Sequence, residues 1–137
     1  MTFRIALTGD FQKDEKIIYP DFDLTQLKAA SGIEYHFFTE HKSEIDPEQL
    51  KSFQGVIVLT PRVTSHSLSQ SQNLLAVSRF GVGYDGVDVS ACTKADVVLC
   101  TTVGAPDRPV AEATVGWMIA LGHRMIIKDK LFRKGLW

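Results

Sequence analysis

The chain has 137 residues and a mass of 15.2 kDa, the size of one domain that can bury about two thirds of its unfolded surface. A composition of 45% hydrophobic and 23% charged residues is ordinary for a globular protein, and it excludes disordered and fibrous classes. Fifteen Lys and Arg against sixteen Asp and Glu give a net charge of −1, so we predict no nucleic-acid partner.

Cysteine and histidine content argues against a disulfide scaffold and against a metal site. Cys92 and Cys100 are too few for a stapled fold, and the four histidines have no partner at ligand spacing. The first ten residues, MTFRIALTGD, run directly into a strand pattern without the apolar segment of a signal peptide. These features predict a cytoplasmic protein without a metal.

Short apolar runs alternate with helical patterns along the first hundred residues, which is typical of a parallel sheet covered on both faces. The predicted strands are residues 3–8, 33–38, 56–59, 74–80 and 97–100. The predicted helices are residues 24–30, 47–53 and 88–95. Residues 11–23 are mixed and charged, with a break at Pro20, and residues 64–73 are predicted to form a loop or a weak helix.

This alternation predicts an α/β fold, a flavodoxin-like, doubly wound sheet of five parallel strands. Ligands of such sheets bind beyond the carboxyl ends of the strands. The loops to consider are therefore residues 9–10, 60–65, 81–86 and 101–107.

The predicted last helix, residues 110–122, is apolar on all sides except for Glu112. It is too short to cross a bilayer, which needs about 20 residues, so we predict no membrane partner. Gly116 and Gly122 indicate that another backbone comes close. The helix is either a core helix or, as we prefer, one that packs against a second domain or subunit.

A glycine triplet, Gly81, Gly83 and Gly86, follows a predicted strand with the G-x-G-x-x-G spacing of a dinucleotide-binding turn. Asp85 and Asp88 argue against this interpretation, because they place negative charge where a pyrophosphate would lie. The helix that follows is also short. Bare backbone N–H groups in the loop can instead hold a smaller anion such as a carboxylate, or the loop is a plain turn.

Two further residues bear on these alternatives. Asp107 has the spacing of a ribose-binding acid, but we predict that it lies in a loop. Arg62 follows the strand of residues 56–59, at the same edge of the sheet as the glycine loop. Its guanidinium is either a bidentate carboxylate ligand or a solvated loop side chain.

Several ordered motifs resemble those of the D-isomer-specific 2-hydroxyacid dehydrogenases. That family reads R-x-G-V-G-Y-D-N-V-D, N-T-P-G, V-A-E-H-T and R-x-G-x-W. The matching segments here are Arg79-Phe80-Gly81-Val82-Gly83-Tyr84-Asp85-Gly86-Val87-Asp88 with Ala91, then Gly104, Val110-Ala111-Glu112-Ala113-Thr114, and Arg133-Lys134-Gly135-Leu136-Trp137. Departures from the family pattern are Gly86 for asparagine, Asp96 for glycine, Thr101 and Val103 in the N-T-P-G segment, and Ala113 for histidine.

The resemblance implies a two-domain oxidoreductase that uses NAD or NADP on small D-2-hydroxy acids or 2-keto acids. Residues 1–104 would form the substrate-binding domain, and residues 105–137 an inter-domain helix leading toward a Rossmann domain. The catalytic arginine, glutamate and histidine of the family would follow Trp137, so the resemblance places no catalytic residue in this chain and implies that it is inactive alone. Phosphite and formate dehydrogenases are similar over the same stretch.

The resemblance also assigns candidate site residues. The carboxylate substrate would bind Gly81, Val82 and Gly83, with Arg62 as a second anchor, and Thr114 would approach the cofactor. Family members commonly dimerise about the region of residues 110–122, which implies a homodimer. The alternative from a different class is a stand-alone, flavodoxin-like module that binds a small anion without catalysis. A receiver domain is excluded, because Thr60-Pro61 stands where its phosphate-accepting aspartate would be.

Overall fold

A computed structural model describes residues 2–19 and 22–136 of the chain. Two residues named in the sequence analysis lie outside the described residues. They are Pro20, where a break in regular secondary structure is predicted, and Trp137, which ends the R-x-G-x-W motif. The chain divides into two compact units, Met1–Thr102 and Val103–Trp137.

The first unit is built on a five-stranded parallel sheet. In chain order the strands of the unit are β1 (Phe3–Leu7), β2 (Gln12–Lys13), β3 (Lys16–Ile17), β4 (Ile33–Phe37), β5 (Gly55–Val58), β6 (Ala76–Arg79) and β7 (Val98–Thr101). The main sheet has the order β4-β1-β5-β6-β7, and all of its pairs are parallel. This is the flavodoxin-like order, which confirms the predicted sheet.

Helices cover both faces of the sheet. The unit contains α1 (Thr25–Ala29), α2 (Pro47–Leu50) and α3 (Val89–Lys94). Leu50 of α2 and Cys92 of α3 belong to the core cluster that includes Val56 and Val77, whereas Leu27 of α1 packs against the opposite cluster, which includes Leu7. Burial, with the charge of Asp88 adding to it, raises the pKa of the Cys92 thiol.

Local capping explains where α2 begins. The Asp46 carboxylate accepts the Glu48 N–H at 3.0 Å, and the Gln49 side chain accepts the Asp46 N–H at 3.1 Å. The hydrogen bond from Glu48 lowers the pKa of the Asp46 carboxyl group. Pro47 occupies the first position of α2, as predicted, but α2 ends at Leu50 rather than at residue 53.

An antiparallel hairpin, β2 and β3, lies in the mixed, charged segment for which the sequence predicts no strand or helix. Asp14 and Glu15 form its turn, with φ angles of 51° and 61°. Hairpin turns with two positive φ angles usually carry Asn-Gly or Asp-Gly. Because neither residue is glycine here, the turn has no signal in the sequence.

The second unit consists of α4 (Asp107–Gly122) and α5 (Met125–Phe132). Helix α5 is not predicted, and Asp107 opens α4 rather than lying in a loop. No described residue of either helix is buried, and a Cβ added at Gly116 or Gly122 meets open space. No helix among the described residues combines the length and the apolar character needed to cross a membrane.

Helix α3 ends in a Schellman motif with an unusual residue at its left-handed position. The Val97 N–H donates to the Cys92 carbonyl oxygen at 2.9 Å, and the Asp96 N–H donates to the Thr93 carbonyl oxygen at 3.3 Å. Asp96 has a φ of 55°, a conformation in which glycine is the usual residue. Its carboxylate also lies at the negative end of the helix dipole.

We predict that Asp96→Gly stabilises the chain by roughly 0.5–1 kcal/mol, because it relieves the left-handed conformation and removes the unfavourable charge. Urea unfolding followed by circular dichroism measures the change. Asp96→Asn is the matched control, since it removes only the charge and is expected to give a smaller gain. A glycine variant that is less stable than the wild type would contradict this account.

Candidate functional site

A cavity of about 250 Å³ lies at the carboxyl edge of the sheet, between the ends of β5 and β6. Residues 58–61 form one wall, residues 83–87 form the other, and Arg79 lines it at the end of β6. Parallel pairing brings these segments together, because Val58 and Arg79 are register partners. The cavity therefore lies at one of the edges where ligands of such sheets bind.

The glycine loop begins at a position that requires glycine. Gly81 has a φ of 146°, and a Cβ there would collide with the guanidinium of Arg79. The loop is tied back to the sheet where the Thr102 N–H donates to the Gly81 carbonyl oxygen at 3.0 Å. Gly83 and Gly86 meet no such crowding, so Gly81 alone of the triplet is needed for backbone geometry.

Five consecutive backbone N–H groups of the loop have no acceptor in the described protein. None of residues 82–86 donates its backbone N–H to another described residue. The next amide, that of Val87, donates to the Tyr84 carbonyl oxygen at 2.8 Å and closes the turn. A run of free, solvent-accessible N–H groups can bind an anion that needs several short hydrogen bonds, such as a carboxylate.

Arg79 supplies a positive charge at this cavity, and sequence reasoning missed it as a site residue. Its guanidinium donates to the Phe80 carbonyl oxygen and forms no ion pair with any described carboxylate. It is half-buried and lines the cavity. The signal that could have found it is strand alternation, which puts Arg79 on the same face of β6 as buried Val77.

The backbone of Arg62 forms two hydrogen bonds, and the residue lies outside the cavity lining. Its N–H donates to the Ser43 carbonyl oxygen at 2.8 Å, and its carbonyl oxygen accepts the Ile45 N–H at 3.0 Å. Its side chain is exposed, next to Pro61, which does line the cavity. Of the predicted substrate-binding residues, Gly83 is in the lining, whereas Arg62, Gly81 and Val82 are not.

The residues around the loop do not fit a dinucleotide pyrophosphate. The N-terminus of the six-residue helix α3 is already occupied, because the Asp88 carboxylate accepts the Ala91 N–H at 2.9 Å. The carboxylate of Asp85 adds further negative charge, and Asp85 lines the cavity. A pyrophosphate would therefore face negative charge where a dinucleotide site offers a free helix N-terminus.

Thr114, the predicted cofactor contact, lies on α4 in the second unit. It is exposed, and its hydroxyl donates to the Val110 carbonyl oxygen at 2.8 Å. The oxygen keeps free lone pairs for a further donor. Across residues 2–19 and 22–136, no group of three or more His, Cys, Asp or Glu is arranged to hold a metal ion.

The chain is similar to curated proteins much longer than itself. It is 32% identical over 124 residues to the glyoxylate reductase of Thermofilum pendens, a match that covers 88% of this chain and 36% of the relative. The chain thus spans about a third of the length of that relative.

Solved structures share its fold. The NAD+-bound 3-phosphoglycerate dehydrogenase of Entamoeba histolytica matches with a TM-score of 0.70 and 24% identity, over 88% of this chain and 39% of that one. The NAD-dependent formate dehydrogenase of Staphylococcus aureus, in complex with NAD, matches with a TM-score of 0.74 and 19% identity, over 98% of this chain and 43% of that one.

Residues 16–127 match the family described as D-isomer specific 2-hydroxyacid dehydrogenase, catalytic domain. The match covers most of the chain, including the cavity, the glycine loop and helix α4 of the second unit. The resemblance noted in the motifs is thereby confirmed. The chain belongs to the D-isomer specific 2-hydroxyacid dehydrogenase family, through that family's catalytic domain.

Proposed function

We propose that this chain forms the substrate-binding part of an oxidoreductase that interconverts small D-2-hydroxy acids and 2-keto acids with NAD or NADP. The observation that carries the proposal is that Arg79 lines one cavity together with residues 83–86, four of the five residues whose backbone N–H groups are free. Family membership supports the reaction class. The cytosol, indicated by the cysteine content, is the proposed compartment.

The residues of this chain would bind and orient the substrate. The N–H groups of Val82 and Gly83 would hold the carboxylate, and the Arg79 guanidinium would neutralise it from the side of β6. Arg62 would act as a second anchor from outside the cavity. Fixing the carboxylate in this way sets the direction in which the neighbouring C2 atom points, which is the main contribution that a positioning site makes to catalysis.

The nicotinamide cofactor supplies the hydride chemistry when bound, and the glycine loop is not its site. Thr114 is the one residue of the described chain that we propose as a cofactor contact. The chain covers 36% to 43% of the glyoxylate reductase, 3-phosphoglycerate dehydrogenase and formate dehydrogenase that it matches.

The two helices of the second unit support a further part of the proposal, a homodimer formed through residues 110–122. Trp117, Met118 and Leu121 of α4 are each at least 66% exposed. A two-helix unit without a buried residue does not keep such side chains in water unless another surface covers them. A second copy of the chain is the proposed cover.

We predict that Arg79→Gln weakens binding of oxalate to the chain by about tenfold, because a charge-assisted hydrogen bond contributes roughly 1.5–3 kcal/mol. Oxalate is a stable, planar analogue of a 2-keto acid. NMR titration of the amides of residues 82–86 measures the affinity. Arg62→Gln is expected to weaken it less, since the exposed guanidinium is screened by water. Arg108→Gln, in the second unit, is the control. Equal affinity of wild type and Arg79→Gln would refute the role of Arg79.

We predict that the 137-residue chain does not oxidise NADH or NADPH in the presence of glyoxylate, pyruvate or hydroxypyruvate. The reason is that its glycine loop does not fit a dinucleotide. Absorbance at the nicotinamide band measures turnover, with a full-length glyoxylate reductase as the positive control. Turnover by this chain would mean that its own residues complete the catalytic site. Carboxylate binding without turnover is expected both for the substrate-binding part of an oxidoreductase and for a stand-alone binding module. Activity of a longer protein that contains this chain would exclude the stand-alone module.

We predict that the chain self-associates at micromolar concentrations in sedimentation velocity experiments. Trp117→Glu should shift the population toward monomer, because it places a charge among apolar side chains. Arg108→Gln changes the charge by one unit at an exposed polar position of the same helix and should leave the distribution unaltered. A wild-type chain that stays monomeric throughout this range would count against the dimer.

A further inference from the structure

Three consecutive residues after β1 each contact a different loop at the carboxyl edge of the sheet. They form a single turn of 3-10 helix, Gly9–Phe11. Gly9 lies against the loop that follows β4, since a Cβ added there would be 3.1 Å from the Phe38 carbonyl oxygen and 3.2 Å from the His41 nitrogen. That neighbour is backbone and has little room to give.

Asp10 binds the loop that follows β5. Its Oδ2 accepts the Thr60 N–H at 2.9 Å and also the Thr60 hydroxyl. Thr60 and Pro61 belong to the wall of the cavity. Both donors come from one residue that is 50 positions away in sequence, so the carboxylate joins the ends of β1 and β5.

Phe11 contacts Phe80, the residue that precedes the glycine loop. Its ring is fully buried, and it meets the Phe80 ring edge-on with centroids 5.3 Å apart. Phe22 stacks on Phe11 at 4.8 Å and also meets the Phe80 ring edge-on at 5.3 Å. Because Phe80 directly precedes Gly81, the start of the glycine loop is held by this aromatic contact.

The loop that Asp10 holds is joined to the end of the glycine loop. The Val63 N–H donates to the Gly86 carbonyl oxygen at 2.9 Å, and the Asp88 N–H donates to the Val63 carbonyl oxygen at 2.8 Å. A displacement of Thr60 would therefore be transmitted through Val63 to Gly86. The Gly9–Phe11 turn thus holds both ends of the glycine loop, one through Phe11 and the other through Asp10.

The Asp10 carboxylate has a feature that packing alone does not explain. Its Oδ1 is buried and accepts no hydrogen bond from any described residue. A buried acceptor without a partner destabilises the folded chain, and such groups are concentrated at functional sites. The fold therefore keeps the Asp10 carboxylate in this position although its unpaired oxygen lowers the stability of the folded chain.

We propose that Asp10 is a positioning residue, which holds the Thr60 loop against the glycine loop and so sets the affinity of the site for a carboxylate. The inference rests on the proposed function, because it assumes that the free N–H groups bind the substrate carboxylate. It adds a residue outside the binding surface, acting through Thr60.

Binding of oxalate to the full 137-residue chain provides the first test, and the NMR shifts of the amides of residues 82–86 measure it. Asp10→Ala is expected to weaken binding by about tenfold. Asp10→Asn keeps an oxygen that can accept from Thr60, so it should restore most of the affinity. Thr60→Val, which removes only the hydroxyl donor, should fall between the two. Asp107→Ala, in the second unit, serves as the control and should bind like the wild type.

Hydrogen exchange in the ligand-free chain provides the second test and does not depend on binding. The amides of Thr60, Val63 and Asp88 should exchange faster in Asp10→Ala, whereas the urea midpoint should shift less than in Leu50→Ala, which removes a fully buried core side chain. Wild-type exchange rates and wild-type affinity in Asp10→Ala would overturn the inference. If Asp10→Ala does not fold, a loss of affinity in Thr60→Val with an unchanged urea midpoint supports it, and unchanged affinity overturns it.

The two tests also separate this inference from the proposed function. If oxalate shifts none of the amides 82–86 in the wild type, the proposed carboxylate site is wrong. In that case the exchange rates still decide whether Asp10 holds the Thr60 loop. If oxalate binds the wild type and Asp10→Ala equally well, the function stands and the positioning role of Asp10 is wrong.

Discussion

Parallel pairing forces all five strands of the sheet to end at one edge, and the candidate site depends on this constraint. Leu7 pairs with both Phe37 and Ile57, and Val58 pairs with Arg79, so the loops after four strands emerge side by side. Residues 50 positions apart, such as Asp10 and Thr60, thereby come within hydrogen-bonding distance. The alternation of short apolar runs with helices is sufficient to predict this edge, because both faces of such a sheet must be covered.

The sequence predicts elements whose signals are local and misses those that depend on unusual backbone angles. The five main strands have apolar runs, and α2 begins at Pro47 with a capping box, so both are predictable. The β2–β3 hairpin turns on Asp14 and Glu15, and α4 ends before Arg124, whose φ is 53°. These three residues adopt left-handed conformations that glycine usually marks, so tertiary context must stabilise what the local sequence does not indicate.

Sequence reasoning finds the glycine loop of the candidate site but not the arginine side chain that lines its cavity. Gly81, Val82 and Gly83 are marked by their spacing after a strand. Arg79 begins the family motif that contains this loop, but an arginine at the end of a strand is usually solvated, and the register of β6 against β5 brings it to the cavity. The contact between Asp10 and Thr60 is equally invisible, because no local pattern relates residues so far apart.

A carboxylate site in a chain of net charge −1 must rely on local dipoles rather than on an overall field. Two aspartates near the glycine loop are directed to backbone donors: Asp10 accepts the Thr60 N–H, and Asp88 accepts the Ala91 N–H. Asp85 remains in the cavity lining, so a bound carboxylate is expected to lie toward Arg79. Because Coulomb interactions weaken with distance and with exposure to water, the free N–H groups in direct contact with the anion outweigh carboxylates that are already hydrogen-bonded elsewhere.

The same acidic surroundings exclude a pyrophosphate, whose larger charge would need the helix N-terminus that Asp88 occupies. The proposed preference for a small carboxylate and the misfit of a dinucleotide thus have one physical cause.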